Sequence, residues 1–391
     1  MSVSACSAGQ GPDTRAPFQS GAALTKKSPR LLDSTEGSIR RVLLSVSNYG
    51  ANTFGPALQQ VLASLPRAAR LDILVAPQAL DRVSNWLKQS GPGEIACLVE
   101  APDELAFSLW TQDLFLAYED ARLELPLHFQ RYQDLSAAKH LASGAGLEIS
   151  SSSIYFEGGN VIPAGDWLLI GKDLVAQNHG DALALARQID PTRKPVLLGS
   201  DMRGAQETRR PTGRPARGWT ETIHWRMPEG SAQPLFHLDL FIAPAGRADD
   251  GAPQFLVGCP RRGAELLGHD VMPHALADAF DDIARQLAEQ GAHVIRNPLP
   301  LIWKDNPKKR ERFWFHLPTN NVLTEEDDKA AKTVWLPCFA SKAWPELQSI
   351  DDTNAAIWAL LGYSVTRIPG LMSLAENLGA LHCMAKVIER S

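Results

Sequence analysis

The side chains best suited to chemistry in this 391-residue chain lie in four short segments. Together they supply three carboxylates, an acid/base histidine and a thiol. Two carboxylates can bind a planar cation through paired hydrogen bonds, a histidine can move protons near neutral pH, and a thiolate is a strong nucleophile. The segments are Trp110-Thr111-Gln112-Asp113, Phe156-Glu157-Gly158-Gly159-Asn160, His237-Leu238-Asp239 and Gly379-Ala380-Leu381-His382-Cys383-Met384.

The order of these segments resembles that of the guanidine-modifying enzymes of the pentein fold. That group comprises arginine and agmatine deiminases, peptidylarginine deiminases, and related amidinotransferases and dihydrolases. The segment ending in Asp113 resembles the Trp-x-Gln-Asp of peptidylarginine deiminases, and His237-x-Asp239 resembles the shared His-x-Asp. Glu157 begins a Glu-Gly-Gly like that of the family, and Cys383 ends a similar Gly-x-x-His-Cys. The resemblance implies an α/β fold, a pentein-type propeller of about five strand-strand-helix-strand units around a central active site.

The resemblance also implies a role for each residue. A guanidinium carbon is a poor electrophile. An enzyme must therefore hold the group rigidly, attack the carbon with a soft nucleophile and protonate the nitrogen that leaves. Asp113 and Asp239 are expected to hold the cation, and Cys383 to attack it and form a covalent amidino intermediate. His237 is expected to protonate the leaving nitrogen and then to activate water, with Glu157 as its partner.

Further residues of the segments are expected to play smaller parts. Trp110 and Asn160 are predicted to contact the substrate, and Gly158 and Gly159 to let the backbone approach the site closely. His382 is adjacent to Cys383, so in an extended segment the two side chains would face opposite ways, and His382 would be a supporting residue. Asn320 and Asn321 are weaker candidates for hydrogen bonds at the rim.

The reaction within this family is left open by the sequence. A deiminase releasing ammonia and a ureido product is the leading hypothesis, with an amidinotransferase or dihydrolase as the alternative. An inactive guanidinium-binding protein would lack one of the reacting side chains, and none is missing. The substrate is arginine, an arginine derivative or peptidyl-arginine. Leu114 follows Asp113 where animal peptidylarginine deiminases have an acidic residue, so a calcium requirement is not expected.

Composition excludes several other classes of protein. A hydrophobic content of 44% with 21% charged residues is that of a soluble globular protein, and a net charge of −5 favours neither nucleic acid nor an anionic membrane. No apolar run approaches the roughly 20 residues of a membrane helix. Without a phosphate-binding glycine loop or a cluster of metal ligands, no cofactor and no metal are expected. An enzyme using His237 and Asp239 as metal ligands is the less favoured alternative.

The five cysteines are widely spaced and contain no Cys-x-x-Cys, which indicates neither a disulfide framework nor a zinc site. A reducing, cytoplasmic location is therefore expected. Core packing is predicted for Cys97, Cys259 and Cys338, because each lies in an apolar stretch. The oligomeric state is not predicted.

Periodicity predicts a flexible tail over residues 1–38 and a single catalytic domain over 39–391. Repeated strands and amphipathic helices indicate an α/β protein. Periodicity alone does not distinguish the propeller from a doubly wound sheet. The predicted strands are 41–46, 71–75, 153–156, 167–170, 196–198, 236–243, 255–257, 293–295, 313–317, 333–336 and 363–368. The predicted helices are 57–65, 181–189, 278–290 and a helix from the N-cap Thr353 to Leu361.

Two basic stretches have no place in this repeat. The segment 202–231 holds five arginines among Pro and Gly and is predicted to be a long surface loop, either solvated or forming a lid that selects an anionic part of the substrate. The run from Lys304 to Arg312 is predicted to be a solvated face.

Overall fold

The computed structural model describes residues 29–90, 95–129, 131, 133–200, 218–223, 233–268 and 276–391. Most of the predicted tail, residues 1–28, lies outside this range. Residues 29–38 are packed against the fold, which differs from the predicted tail boundary at residue 38. Leu31 is buried and forms a β-bridge with Tyr118, and Asp33 is buried and accepts hydrogen bonds from its own turn and from the backbone of Gly165.

Nineteen strands and eleven helices occur in the described residues. The strands are β1 (Ile39–Val46), β2 (Arg70–Val75), β3 (Ala96–Glu100), β4 (Leu116–Ala117), β5 (Leu123–Leu125), β6 (Ile149–Ser151), β7 (Val161–Ala164), β8 (Trp167–Gly171), β9 (Lys194–Leu198), β10 (Thr220–Ile223), β11 (Ile242–Arg247), β12 (Pro253–Cys259), β13 (His293–Pro298), β14 (Leu301–Asn306), β15 (Glu311–His316), β16 (Leu323–Glu326), β17 (Lys332–Pro337), β18 (Tyr363–Ile368) and β19 (Lys386–Arg390). The helices are α1 (Asn48–Thr53), α2 (Gly55–Ser64), α3 (Leu80–Ser90), α4 (Asp134–Gly144), α5 (Lys172–Gln177), α6 (Ala182–Ile189), α7 (Pro260–Leu267), α8 (Ala277–Glu289), α9 (Gln348–Leu360), α10 (Met372–Ala375) and α11 (Leu381–Met384).

Five of the sheets in the described residues share one pattern. A first strand pairs antiparallel with a second, and a third strand pairs parallel with the second after a helical connection. Four such units are β4-β5-β6, β7-β8-β9, β11-β12-β13 and β16-β17-β18. The fifth joins distant parts of the chain, because its first strand is β19, which pairs antiparallel with β1, and β2 and β3 follow in parallel.

These units form because their strands are apolar and their helices are amphipathic. In α8, for example, Phe280, Ile283 and Leu287 recur at helical spacing and are fully buried, and Gly291 follows the helix at a φ of 98° that favours glycine. The predicted α/β class and the repeated strand-strand-helix-strand pattern are therefore confirmed. A further sheet, β10-β15-β14, lies outside the pattern.

Several predicted elements differ in the structure. No strand covers 153–156, the predicted strand 236–243 begins with the 3₁₀ turn Leu238–Leu240, and α9 starts at Gln348, so Thr353 lies inside the helix. The turn at Leu238–Leu240 replaces the predicted strand because the buried Asp239 side chain hydrogen-bonds to His382 in another segment. The unit β4-β5-β6 was not predicted, since its strands have only two or three residues.

Three further expectations can be compared with the structure. In the arginine-rich stretch, Thr220–Ile223 forms a strand parallel to β15, so this part is not a loop, whereas the arginines of the proposed lid lie outside the described residues. Cys97 is buried in the core, as predicted, but it is disulfide-bonded, which differs from the expectation drawn from the cysteine spacing; Cys259 and Cys338 are free and buried as predicted. Among the helices that the structure describes, none is long and apolar enough to cross a bilayer.

Candidate active site

Each of the four segments forms a tight turn directly before the first strand of a unit. The 3₁₀ turns Thr111–Leu114, Gly158–Asn160 and Leu238–Leu240 precede β4, β7 and β11, and α11 precedes β19. Asp113, His237, Asp239 and Cys383 are all at most 4% exposed. The repeated unit therefore brings together side chains from four separate parts of the sequence.

Cys383 is held by Asn321, which precedes the first strand of the remaining unit, β16. The Asn321 side-chain oxygen accepts hydrogen bonds from the backbone amides of Ala380 and Cys383, both at 3.1 Å, and its amide nitrogen lies 3.1 Å from Cys383 Sγ. These bonds draw the segment into a helical turn, whereas an extended segment was expected. Asn321 is fully buried and contacts the thiol, so it does not lie at the rim.

Asp239 connects the thiol to a second histidine. Its Oδ2 lies 2.7 Å from His382 Nδ1, accepts a hydrogen bond from Asn321 at 3.2 Å, and is 3.7 Å from Cys383 Sγ. His382 is thus a supporting residue, as expected, although through Asp239. The other carboxylate oxygen, Oδ1, is buried and has no hydrogen-bond partner among the described residues. A buried acceptor without a donor is costly, so Oδ1 is suited to receive an N–H from a ligand.

His237 lies between two other carboxylates. Its Nε2 is 2.8 Å from Glu157 Oε2, and its Nδ1 is 3.7 Å from Asp113 Oδ1. Burial opposes the charge of His237, but Asp113 and Glu157 outweigh it and raise the pKa of His237 to about 9. Burial likewise opposes the charge of Glu157, whose pKa is nevertheless lowered to about 2 by His237 and Arg131. His237 is therefore an imidazolium at neutral pH, with Nδ1 directed away from Glu157.

Arg131 is a site residue that the sequence reasoning missed. Its Nη2 lies 2.5 Å from Asp113 Oδ2 and 3.4 Å from Glu157 Oε1. Burial raises the pKa of Asp113, whereas His237 and Arg131 act in the opposite direction. No sequence motif contains Arg131. The one indication was general: two buried carboxylates beside a single histidine require a second cation, without saying which residue provides it.

The backbone of Gly159 packs closely against the site. A Cβ at this position would lie 2.6 Å from His237 Nδ1 and 2.8 Å from Asp239 Oδ1, closer than real contacts allow. A Cβ at Gly158 would lie 2.1 Å from the carbonyl oxygen of Gln112. The close backbone approach expected of these glycines is what the structure has, and at Gly159 it brings the backbone beside both His237 and the unpaired oxygen of Asp239.

Trp110 and Asn160 have different surroundings. Trp110 is half-buried and packs on Gly379, where a Cβ would lie 2.4 Å from the indole ring. It borders a surface cavity that also contains Asn377. Asn160 is buried, and its amide donates to Phe236 and accepts from Gln233, so it holds the backbone before His237. The amide nitrogen and oxygen each make a hydrogen bond within the protein, and the substrate contact expected of Asn160 stays a prediction.

The Cys383 thiol is buried beside two carboxylates. Burial, followed by the carboxylates of Asp239 and Asp113, raises its pKa well above the ordinary value. The thiol hydrogen can point to Asp239 Oδ2. A cation that enters between the two aspartates removes their effect on the thiol, so the ligand itself favours formation of the thiolate.

Asp113, Glu157 and His237 also have ligand-type atoms within 4.8 Å of one another, the geometry of a possible metal site. Arg131 also contacts both carboxylates of this set.

No protein-family model and no curated protein matches the sequence. Solved structures do match. An agmatine deiminase from Enterococcus faecalis has a TM-score of 0.62 at 12% identity, covering 96% of this chain and 100% of its own. A substrate-bound agmatine deiminase from C. jejuni has a TM-score of 0.62 at 11% identity, covering 95% and 99%. An amidinotransferase from Microseira wollei has a TM-score of 0.50 at 12% identity, covering 92% and 97%.

The chain has the fold of the pentein superfamily. The resemblance inferred from the four segments is confirmed at the level of the fold, over nearly the whole chain. The pentein fold explains why turns so distant in sequence lie together, since each occupies the same position in its own unit.

Proposed function

We propose that this protein is a Cys-dependent hydrolase of a guanidino compound, most simply a deiminase. The observation that carries the proposal is the buried, unpaired Oδ1 of Asp239, whose other oxygen contacts the Cys383 thiol, while this Oδ1 and His237 Nδ1 both lie beside the Gly159 backbone. A guanidinium has N–H donors on both edges and an electrophilic carbon in the middle. Bound between Asp239 and Asp113, it would present that carbon to the thiol.

The steps balance without a cofactor. The Cys383 thiol loses its proton to solvent as the cation binds, and the thiolate adds to the guanidinium carbon. His237 gives its proton from Nδ1 to one nitrogen, and ammonia leaves, so an amidino thioether remains on Cys383. The neutral His237 then takes a proton from water, the hydroxide adds to the amidino carbon and the Cys383 thiolate leaves, and the protonated ureido product gives its extra proton to solvent. The products are a ureido compound, ammonia and the regenerated thiolate.

The proposal extends to the architecture and the substrate. We propose that the five units close into a propeller around this site, with the surface cavity beside Trp110 as the entrance. Substrates are a small guanidino compound or a peptidyl-arginine side chain, and agmatine is the substrate class of the similar deiminases. An amidinotransferase, the class of the similar Microseira wollei structure, would in addition have to bind an acceptor amine.

Product analysis tests the proposal directly. The protein is incubated with agmatine, arginine, N-acylated arginine methyl ester and an arginine peptide, with and without an acceptor amine and a chelator. Equal amounts of ammonia and ureido product, unaffected by the chelator and absent in Cys383→Ala, are expected. An amidino group transferred to the amine would replace deimination by the transferase alternative. Ornithine with two equivalents of ammonia and one of carbon dioxide per arginine would favour a dihydrolase, and no turnover of any compound would overturn the proposal.

A further inference from the structure

Arg131 places a guanidinium of the protein itself at the site proposed for a guanidinium ligand. Its Nη2 lies 2.5 Å from Asp113 Oδ2 and 3.4 Å from Glu157 Oε1, so one nitrogen bridges two carboxylates. Asp113 is also one of the two carboxylates proposed to hold the substrate. The reaction steps above give Arg131 no part, so its presence on Asp113 needs a reason of its own.

The two aspartates of the site differ in how far the protein already uses them. Asp113 Oδ2 is bound by Arg131, and Asp113 Oδ1 accepts a hydrogen bond from the Gly159 amide at 3.4 Å and lies 3.7 Å from His237 Nδ1. Asp239 Oδ1, by contrast, is buried and has no partner among the described residues. A planar cation that pairs with both oxygens of Asp113 therefore has to replace one of its present partners.

Of the three partners of Asp113, Arg131 is the one best able to move. Gly159 and His237 are buried, whereas the Arg131 side chain is 28% exposed. The contact that Arg131 makes is also incomplete, because one nitrogen serves both carboxylates and Nε is buried without a hydrogen-bond partner among the described residues. A guanidinium that pairs with a carboxylate through two nitrogens is held more strongly, so a free guanidinium can make better bonds here than Arg131 does.

We propose that Arg131 is a built-in competitor of the substrate: it neutralises Asp113 and Glu157 in the free protein and leaves Asp113 when a guanidinium binds. The inference rests on the proposed function, because it takes the ligand of Asp113 and Asp239 to be a guanidinium. Arg131 is a positioning residue that acts on the substrate through the carboxylates. The exchange weakens the binding of every cation by the same factor, so cations that bind weakly, such as Na⁺, stay outside the site.

The first experiment follows Arg131 directly by NMR. Cys383→Ala protein is labelled with ¹⁵N-arginine, and the Arg131 guanidino signal is identified by its loss in Cys383→Ala/Arg131→Lys. Hydrogen bonds to buried carboxylates protect N–H groups from exchange with water, so this signal should exchange slowly in the free protein. Non-denaturing concentrations of guanidinium chloride should make it exchange rapidly, whereas sodium chloride at equal concentration should not. An Arg131 signal that saturating guanidinium leaves unchanged would overturn the inference.

The second experiment measures affinity by calorimetry, with guanidinium and each guanidino compound as ligands. Cys383→Ala/Arg131→Met should bind them about tenfold or more tightly than Cys383→Ala, the factor expected if Arg131 is bound in about nine-tenths or more of the free molecules. An arginine that only held Asp113 in place would have the opposite effect on its removal. Equal or weaker binding in the folded Arg131→Met protein would therefore overturn the inference, and if circular dichroism shows this variant to be unfolded, the NMR experiment decides.

Arg41 provides the matched control. Its Nε lies 2.6 Å from the buried carboxylate of Asp72, and its side chain is 15% exposed, but neither residue belongs to the site. Cys383→Ala/Arg41→Met should bind guanidinium as Cys383→Ala does. A similar gain in affinity in this variant would show that the effect is not specific to Arg131 and would overturn the inference.

The outcomes also separate this inference from the proposed function. Guanidinium that binds and leaves Arg131 in place would overturn the inference alone, even if the wild type is a deiminase. Displacement of Arg131 by guanidinium in a protein that turns over no compound would overturn the proposed function alone. No binding of guanidinium to Cys383→Ala or to its Arg131→Met variant would overturn both.

Discussion

Burial and the nearby carboxylates of Asp239 and Asp113 raise the pKa of the Cys383 thiol, while Asp113 and Glu157 raise that of His237 to about 9. The form needed for attack, a thiolate beside an imidazolium, is therefore a minor one in the free protein. This form is one of the two singly deprotonated states of the pair formed by Cys383 and His237. The combined population of these two states grows as the pH rises toward the pKa of His237, about 9, and levels off above it.

The first prediction concerns this pH dependence. The value of kcat/KM should rise from neutral pH to a plateau beginning near pH 9, since it reports ionisations of the free protein. In Glu157→Gln the partner that raises the pKa of His237 is lost, so the rising limb should end at a lower pH and the plateau should be lower. Steady-state assays across pH with a substrate from the panel above would measure both. An unchanged limb in Glu157→Gln would show that His237 does not set it.

The second prediction separates Cys383 from the other free thiols. A cationic haloacetamidine should alkylate Cys383 much faster than neutral iodoacetamide does, because the amidinium removes the effect of the aspartates on the thiol. Cys338 is the matched control, since burial raises its pKa to about 12 without a cation site beside it. Peptide mapping by mass spectrometry gives the rates. Equal preference of both reagents for Cys383 and Cys338 would be incompatible with the cation site.

The third prediction concerns Asp239. Replacing Asp239 by Asn should cost about 2–5 kcal/mol of transition-state stabilisation, because a buried cation loses a charged partner. Both KM and kcat should be affected, since the same carboxylate supports His382 and lies beside the thiol. Asp250→Asn, at an exposed turn, is the control. Wild-type kinetics in Asp239→Asn would exclude this residue from the pocket.

At the scale of the elements, the site is a repeated position. Turns before β4, β7, β11, β16 and β19 supply Asp113, Gly159, Asp239, Asn321 and Cys383. Such turns suit a site because the strand that follows is fixed in its sheet, while the turn is free to direct polar groups inward.

The fourth prediction tests the close approach of Gly159 to the site. Gly159→Ala would place a methyl group closer than van der Waals contact to both His237 and Asp239, so these buried side chains must move and kcat/KM should fall by at least 100-fold. Gly180→Ala is a suitable control, because the nearest atom to its new methyl would lie 3.6 Å away, an ordinary contact. Activity assays with circular dichroism would distinguish a displaced site from an unfolded protein. Near-normal activity in Gly159→Ala would mean that the positions of His237 and Asp239 beside Gly159 are not needed for turnover.

Some site residues could be predicted from the sequence and others could not, depending on the role of the residue. A resemblance to known enzymes was enough to predict that five side chains lie close together, because they occur in recognisable segments: Cys383, His237, Glu157, Asp113 and Asp239. Arg131 and Asn321 could not be assigned, because a residue that satisfies a buried charge or a backbone turn leaves no pattern in its neighbours.

The same limit applies to the elements. Long apolar strands and α8 were predicted closely, whereas β4 and β5 are too short to show periodicity.

At the scale of the whole molecule, residues 29–38 bind several units to one another. Leu31 contacts Tyr118 before β5, Ser34 donates to Pro163 in β7, and Gly37 donates to Glu326 in β16. Arg193 fixes this segment from within, with its side chain fully buried against Asp190 at 2.5 Å and Asp33 at 3.3 Å. The segment is therefore part of the core structure.

The fifth prediction follows from this buried cation. Arg193→Ala should lower the free energy of unfolding by about 3–5 kcal/mol, because two buried carboxylates lose their partner. Arg285→Ala removes a solvent-exposed ion pair on α8 and should change stability little. Chemical denaturation of both variants gives the comparison. If Arg193→Ala were as stable as Arg285→Ala, residues 29–38 would not be held by this network.

The pairing of β19 with β1 has a consequence for when the protein becomes reactive. Arg390 of β19 hydrogen-bonds to the Thr35 carbonyl across a sequence separation of 355 residues, so this unit can close only after the chain between them exists. Contacts of such separation carry a high entropic cost and form late. Cys383 lies directly before β19, and its turn is shaped by Asn321 from another unit. A fragment or a partly folded chain would hold an ordinary, unactivated thiol, and reactivity toward guanidino compounds would arise only with the completed fold.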